Sequence, residues 1–303
     1  MITGEKSIVE KDYDRANVYI DEIICKYMQS DDLFYAITPS MADVGFLDRI
    51  KQHKNYFDVG ICEEHAIAEA TALSKINKKP IIGTHSTFYQ RMFDSILNVA
   101  IPNNANILVL LHECGINDGA LLQEGIYDIA MNNVASQNIT QYFPYNIEEL
   151  QQMLIYCMDN FNGINVIRIP KNIQHGNIED IIERDSDIVI CGIGDFCNKA
   201  KQLSDKFVAT FIPIKDTKSM DCLDKYILDN KMFVILENGI KNGSYATMIF
   251  EYIHNKNKSI DVMIYGIDGI DFSIHTKSIT ALLNDNNINV EQIAKDIQER
   301  NLK

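Results

Sequence analysis

Apolar runs and helical patterns alternate along the first half of the chain. Residues 17–28 (NVYIDEIICKYM) repeat their apolar positions with a helical period, and Leu33–Ile37 (LFYAI) is a continuous apolar run that predicts a buried strand. A second strand ends in FDV (57–59), and the alanine-rich stretch EEHAIAEATALSKI (63–76) predicts a helix. KPIIGT (79–84) predicts the next strand. YQRMFDSILNVA (89–100) predicts the next helix, with Met92, Ile96, Val99 and Ala100 on one side. Asn106–His112 (NILVLLH) carries the strongest strand signal in the chain. The helix IEELQQMLIYCMDN (147–160) and the strand NVIRI (165–169), closed by Pro170, complete the series. Strands that are apolar at successive rather than alternate positions must be covered on both faces. Alternating with helices, they predict an α/β fold built on a mainly parallel sheet.

The pattern breaks after Pro170. Residues 170–187 (PKNIQHGNIEDIIERDSD) are polar and acidic, with few core candidates, and read as a linker or an edge. A second alternating series follows: IVICGIG, CNKAKQLSDKF, VATFIPI, MFVILE, SYATMIFEYI, DVMIYGI and NVEQIAKDIQE. The expectation is therefore two α/β domains, residues 1–175 and 185–303, with the boundary between Pro170 and Asp187. At 303 residues each can bury its own core.

Composition narrows the class. Hydrophobic residues make up 46% of the chain and charged residues 23%, as in water-soluble globular proteins, and the formal net charge is −14. That charge argues against nucleic acid or an anionic membrane as a general partner, while leaving room for a local phosphate pocket. Seven cysteines are scattered without a CxxC pair, which reads as reduced thiols rather than a disulfide frame or a zinc site. No metal ligands are expected on this chain. The polar start (MITGEKSIVEKDYD) has no signal-peptide core, and no apolar run has the length of a membrane span, so a cytoplasmic location is expected.

Chemistry concentrates where FDVGICEEHAIAEA (57–70) passes from strand to helix, with Glu63, Glu64 and His65 side by side. A helix start favours acids through its dipole whether or not they bind anything. The alternative is a carboxylate working on a bound heterocycle. FDVGICEEHA, then PIIGTHSTFYQRMFDSI, CGINDGALLQEGIYDIA and INVIRIPK, resemble in order the pyrimidine-binding domain of transketolase-type enzymes. The likeness is strongest to the 1-deoxy-D-xylulose-5-phosphate synthase branch, with its D-V-G-I-A-E-Q-H-A, S-T-F-L-Q-R and D-G-x-T-H-Q-G patterns. VILENGIKNGSYATMIFEYI and GIDGIDFSIHTKSITALL resemble that family's C-terminal domain, so the likeness runs from about Phe34 to the end.

The resemblance implies thiamine diphosphate as cofactor. It assigns Glu63 to the aminopyrimidine ring nitrogen N1′, where a carboxyl in a low-dielectric wall, its pKa raised by desolvation, helps the cofactor lose its C2 proton. Glu64 takes the family's glutamine position and is expected in solvent or beside a cation, and His65 is expected to be structural. Phe88 falls where the family stacks an aromatic residue on the pyrimidine. Arg91 and Arg168 fall on arginines the family uses near the substrate phosphate. His85, in place of a family tyrosine, and Asp118 fall at the substrate pocket.

Three departures qualify the likeness. Glu113 stands where the synthase branch has an arginine, which reverses one charge near the phosphate. No histidine follows Asp118 and Gly119, since Leu122 or Gln123 falls there. Both changes put glyceraldehyde 3-phosphate, the branch's acceptor, in doubt. Finally, the G-D-G motif of the family's diphosphate-binding domain is missing: GIGDF (192–196) lacks the second glycine, and GIDG (266–269) lies in the part that matches the C-terminal domain. The chain is therefore expected to be the C-terminal subunit of a split enzyme. Its partner would carry the diphosphate and Mg2+ ligands, and the two would form a dimer or heterotetramer. The expected reaction moves a two-carbon unit from a 2-oxo acid or ketose to an aldehyde. Two alternatives are a non-catalytic binding or regulatory homologue, and the β subunit of a 2-oxo acid dehydrogenase, which STFYQR fits poorly.

Overall fold

The computed structural model describes residues 14–41, 48–117, 119–120, 123–171, 173–177, 180–218, 220–229, 231–270 and 276–301. The chain opens with helix α1 (Asp14–Ser30), strand β1 (Phe34–Thr38), a single turn α2 (Asp48–Lys51) and strand β2 (Tyr56–Asp58). Helix α3 (Glu63–Lys75), strand β3 (Lys79–His85), helix α4 (Ser86–Ser95) and strand β4 (Ile107–Cys114) follow. After the two-residue β5 (Gly119–Ala120) come α5 (Asp128–Asn133), β6 (Ile139–Tyr142), α6 (Ile147–Asp159) and β7 (Ile164–Pro170). These strands, without β5, form a six-stranded sheet in the order β2-β1-β3-β4-β7-β6, parallel throughout.

The periodicity explains why this sheet is covered twice. Leu108 and Leu110 of β4 point with Phe34, Ala36 and Ile167 into one apolar layer, against Ile20 and Ile24 of α1 and Leu150 and Leu154 of α6. Val109 and Leu111 point the other way, with Ile37, Ile82 and Val166, onto Ala66, Ile67 and Ala70 of α3 and Tyr89 and Met92 of α4. Small side chains on α3 let it lie close to the sheet; Ala66 and Ala70 are fully buried. Burying one such large apolar side chain contributes about 1.5–3 kcal/mol, so both layers are needed to hold the strands together.

The second half repeats the arrangement: β8 (Ile188–Ile193), α7 (Cys197–Phe207), β9 (Thr210–Ile214), β10 (Met232–Ile240), α8 (Tyr245–Lys256) and β11 (Asp261–Ile267). The two-residue β12 (Thr276–Lys277), α9 (Ile279–Asp285) and α10 (Val290–Asn301) end it. Its four strands lie in the order β11-β10-β8-β9, again all parallel. Ile190, Val234 and Leu236 face Ala200 and Leu203 of α7 and Ile293 and Ile297 of α10, while Val189, Phe233 and Ile235 face Ile249 and Ile253 of α8. Two mainly parallel sheets with helices on both faces are thus the α/β architecture that the alternation predicts.

Several elements differ from the sequence reading, which did not predict the short helices α2, α5 and α9. Helix α4 starts at Ser86, three residues before the expected Tyr89, because His85 ends β3 with an extended backbone and caps the helix directly. Strand β6 was hidden in a short, partly polar stretch and exists because β7 offers it a parallel edge. The polar segment after Pro170 acts partly as an edge: Ile182 exchanges backbone hydrogen bonds with Phe211 of β9. All seven cysteines are free thiols. Among the described residues no helix is long and apolar enough to cross a membrane.

Candidate active site

The carboxyl ends of β3, β4 and β7, together with the start of α3 and the first two turns of α4, bring six charged or imidazole side chains and one aromatic ring together. Ligands gather at such an edge in open parallel sheets because the loops diverge there and helix N-termini point at it. Glu63 is the first residue of α3, whose N-cap, Cys62, makes no side-chain capping bond. Glu63 is only 2% exposed, because α4 packs over the start of α3. Its Oε2 is buried without a hydrogen-bond partner, and it lies 3.4 Å from the Arg91 Nε. That contact is a charge pairing whose angle does not make a hydrogen bond. A buried carboxylate oxygen left in this state is costly unless something else donates to it.

The resemblance places Arg91 near the substrate phosphate. In this structure it pairs with Glu63, while Asp94 accepts from Asn98. One turn earlier on α4, Phe88 is half-buried and its ring lies parallel to that of His85, at 6.1 Å between centroids and 8° between planes. His85 ends β3. Its Nδ1 is 3.9 Å from Oε2 of Glu113, and its Nε2 is buried without a partner. Burial and the Lys171 charge push the imidazole pKa down, and Glu113 partly offsets them. His112, beside His85 in the β3–β4 register, is wholly buried, and desolvation lowers its pKa to about 3. Lys171, just past β7, lies 4.0 Å from Oε1 of Glu113.

Arg168 stands apart from this group. Its Nε donates to Asp128 at 2.7 Å, and its Nη2 donates to the carbonyls of Gly125 and Asn238. The side chain is 3% exposed, and its carboxylate neighbours hold the guanidinium firmly charged. Expected on an anionic substrate group, it is instead a buried tie from β7 to α5 and to the end of β10. Asp118 lies outside the described residues. Glu64 is exposed, as anticipated, whereas His65 is on the exposed face of α3 beside Glu69 and not in the core.

Sequence reasoning missed Lys171 beside Glu113, and Asp128 as the partner of Arg168. The cue for Lys171 was its position directly after Pro170 at a strand end, and for Asp128 its place after the apolar pair of GIYD. Among the described residues no group of three or more His, Cys, Asp or Glu could hold a metal ion. The donor set suits an organic ring better: an unpartnered buried carboxylate oxygen and a half-buried aromatic face, on two adjoining helices.

Known proteins resemble this chain over most of its length. The model of the family "Transketolase, pyrimidine binding domain" matches residues 18–174. A 1-deoxy-D-xylulose-5-phosphate synthase of Francisella tularensis subsp. holarctica is 28% identical, over 94% of this chain and 48% of its own length. The enzyme of the same name from Clostridium acetobutylicum is 27% identical, over 97% of this chain and 50% of its own. The chain therefore spans about half the length of the curated relatives it matches. Among solved structures, a split gene transketolase described as an inactive beta4 tetramer superposes with a TM-score of 0.78 at 16% identity, covering 94% of this chain and 97% of the other. A transketolase from Leishmania mexicana gives 0.73 at 11% identity, covering 93% and 45%.

Proposed function

The chain belongs to the transketolase pyrimidine-binding-domain family, and we propose that it is the C-terminal subunit of a thiamine diphosphate-dependent transferase of the 1-deoxy-D-xylulose-5-phosphate synthase type. The two units would be residues 1–175, which take the pyrimidine, and 185–303. The reaction would move a two-carbon unit from a 2-oxo acid or ketose donor to an aldehyde acceptor. Thiamine diphosphate, when bound, supplies the carbon nucleophile that carries this unit. The observation that carries the reading is the buried Oε2 of Glu63, without a hydrogen-bond partner at the start of α3.

Each residue then has a physical task. Glu63 shares a proton with the pyrimidine ring nitrogen, which a carboxyl shielded from water does without competition from solvent. Phe88 offers its face to the same ring. Arg91, half-exposed beside Glu63, supplies a positive charge that can turn toward an anionic group on the substrate. His85 lines the substrate side, and Asp118 is assigned there by resemblance alone. Arg168 acts by positioning the strand ends rather than by touching substrate.

The diphosphate and its Mg2+ would be held by a separate polypeptide. Supporting this is the likeness to a split gene transketolase, which covers 94% of this chain and 97% of the other. A cytoplasmic location fits this assignment. The test is hydrogen–deuterium exchange at C2 of the cofactor in the complex purified from its native source. Glu63→Gln keeps the shape and removes the ionisable proton, so exchange should fall by about 100-fold or more while assembly persists. Exchange at the wild-type rate would falsify the central assignment.

A further inference from the structure

We infer that Glu113 is a specificity-determining residue, a carboxylate that cancels the charge of Lys171 so that this edge takes the uncharged, hydroxyl-bearing end of a substrate and turns away a phosphate. The inference rests on the proposed reading that the edge receives substrate.

The backbone is built to aim this side chain. Between Leu111 and Cys114, three steps along β4 match two along β7, so the strand carries a one-residue bulge. Bulges re-aim a side chain at the end of a strand. Glu113 sits in it at φ +53°, a left-handed conformation that glycine or asparagine would adopt at lower cost. Its neighbourhood holds it there: the Asn117 side-chain amide donates to the Glu113 carbonyl at 2.7 Å. Gly125 packs so tightly that a Cβ would come within 2.4 Å of the same oxygen. Strain held this firmly by surrounding contacts is typical of functional positions.

The charges around the carboxylate sum to nearly nothing. Its two oxygens face Lys171 Nζ at 4.0 Å and His85 Nδ1 at 3.9 Å, both too long for hydrogen bonds. Each oxygen therefore keeps lone pairs for an incoming donor, and the Glu113 side chain is 35% exposed to receive one. Burial disfavours the charged form of His85, and His112 behind it is neutral at any ordinary pH. Among the described residues Lys171 is thus the cation facing Glu113, and Glu113 offsets it. A hydroxyl can donate to Glu113 while accepting from Lys171. A phosphate would bring like charge against a carboxylate in a partly desolvated site, where Coulomb repulsion is weakly screened. Without the carboxylate, a half-buried lysine beside an imidazole at three strand ends would be an anion site.

The test needs no turnover. In the full chain with 13C-labelled histidines, inorganic phosphate is titrated and the His85 ring signal followed by NMR, with the exposed His65 and His175 as internal controls. In the wild type His85 should move no more than the controls. In Glu113→Gln it should shift saturably, with an apparent Kd about ten-fold or more below any wild-type value, and the His85 pKa should fall because its favourable neighbour is gone. Equal phosphate affinity in the two proteins, or no saturable shift in the variant, overturns the inference. In the assembled enzyme, Glu113→Gln should raise the kcat/KM ratio of a phosphorylated aldehyde over its unphosphorylated counterpart by a similar factor. An unmoved ratio also overturns it. If no aldehyde is turned over at all, the proposed reaction fails while the phosphate titration still decides the role of Glu113.

Discussion

Single residues here are chiefly cases of charge removed from water, and each stays buried for a different reason. Glu63 and Glu237 are each buried with one oxygen unsatisfied, Glu63 beside a cation and Glu237 with a backbone partner on its other oxygen. Glu237 lies at the end of β10, 1% exposed, and its Oε2 accepts from the Ala246 amide in the first turn of α8. Desolvation is the largest influence on it and raises its pKa from 4.5 to about 7, although the amide and Arg168 favour the anion. The sign follows from proton counting. Between about pH 4.5 and 7 the folded chain holds a proton here that the unfolded chain has lost. The stability is fully present below that window and falls as pH rises through it, by about 3 kcal/mol on the usual conversion. Thermal unfolding of the wild type should thus show a Tm decline across this range that is largely missing in Glu237→Gln. Parallel declines in both proteins would mean that Glu237 is ionised throughout. Glu237 did not announce itself in the sequence. An acid after an apolar strand is ordinarily a solvated strand end, and only the packing of the second sheet against the first removes it from water.

Elements, in contrast, were legible almost throughout, because continuous apolar strands and helical periods are local signals. What was not legible is how elements are joined across the two sheets. Arg168 of β7 ties to Asp128 of α5 and to the carbonyl at Asn238 of β10, and the Asn238 side chain in turn accepts from the Ile116 amide and donates to Asp195. The strand-end arginine, read as a ligand of substrate, is therefore a link between elements. Arg168→Ala should cost about 3–5 kcal/mol, since it leaves Asp128 charged and buried without its partner. Urea denaturation measures this directly, and a cost within 1 kcal/mol of zero would show that the pair is solvated and open to ligands. The candidate site was partly readable at this scale. Glu63, His85 and Phe88 lie where strand gives way to helix, a place the periodicity marks. The bulge that aims Glu113 has no sequence mark, because it exists only as a mismatch of register between β4 and β7.

For the whole molecule, the proposed split predicts a partner that can be isolated. The full chain alone should bind thiamine diphosphate weakly and catalyse nothing, and purification from its native source should bring down a polypeptide with a G-D-G motif and downstream asparagines. Tight cofactor binding and turnover by the chain alone would refute the division of the site. The net charge of −14 favours solubility and does not decide this outcome. The order of strands and helices, two parallel sheets and the acid at the start of α3 were determined by the sequence, because periodicity and helix-start chemistry act over a few residues. The tertiary structure alone decided which charges lost water, which arginine became a tie between sheets, and where Glu113 points. Desolvation and register depend on residues far apart in the chain, which only the folded packing brings together.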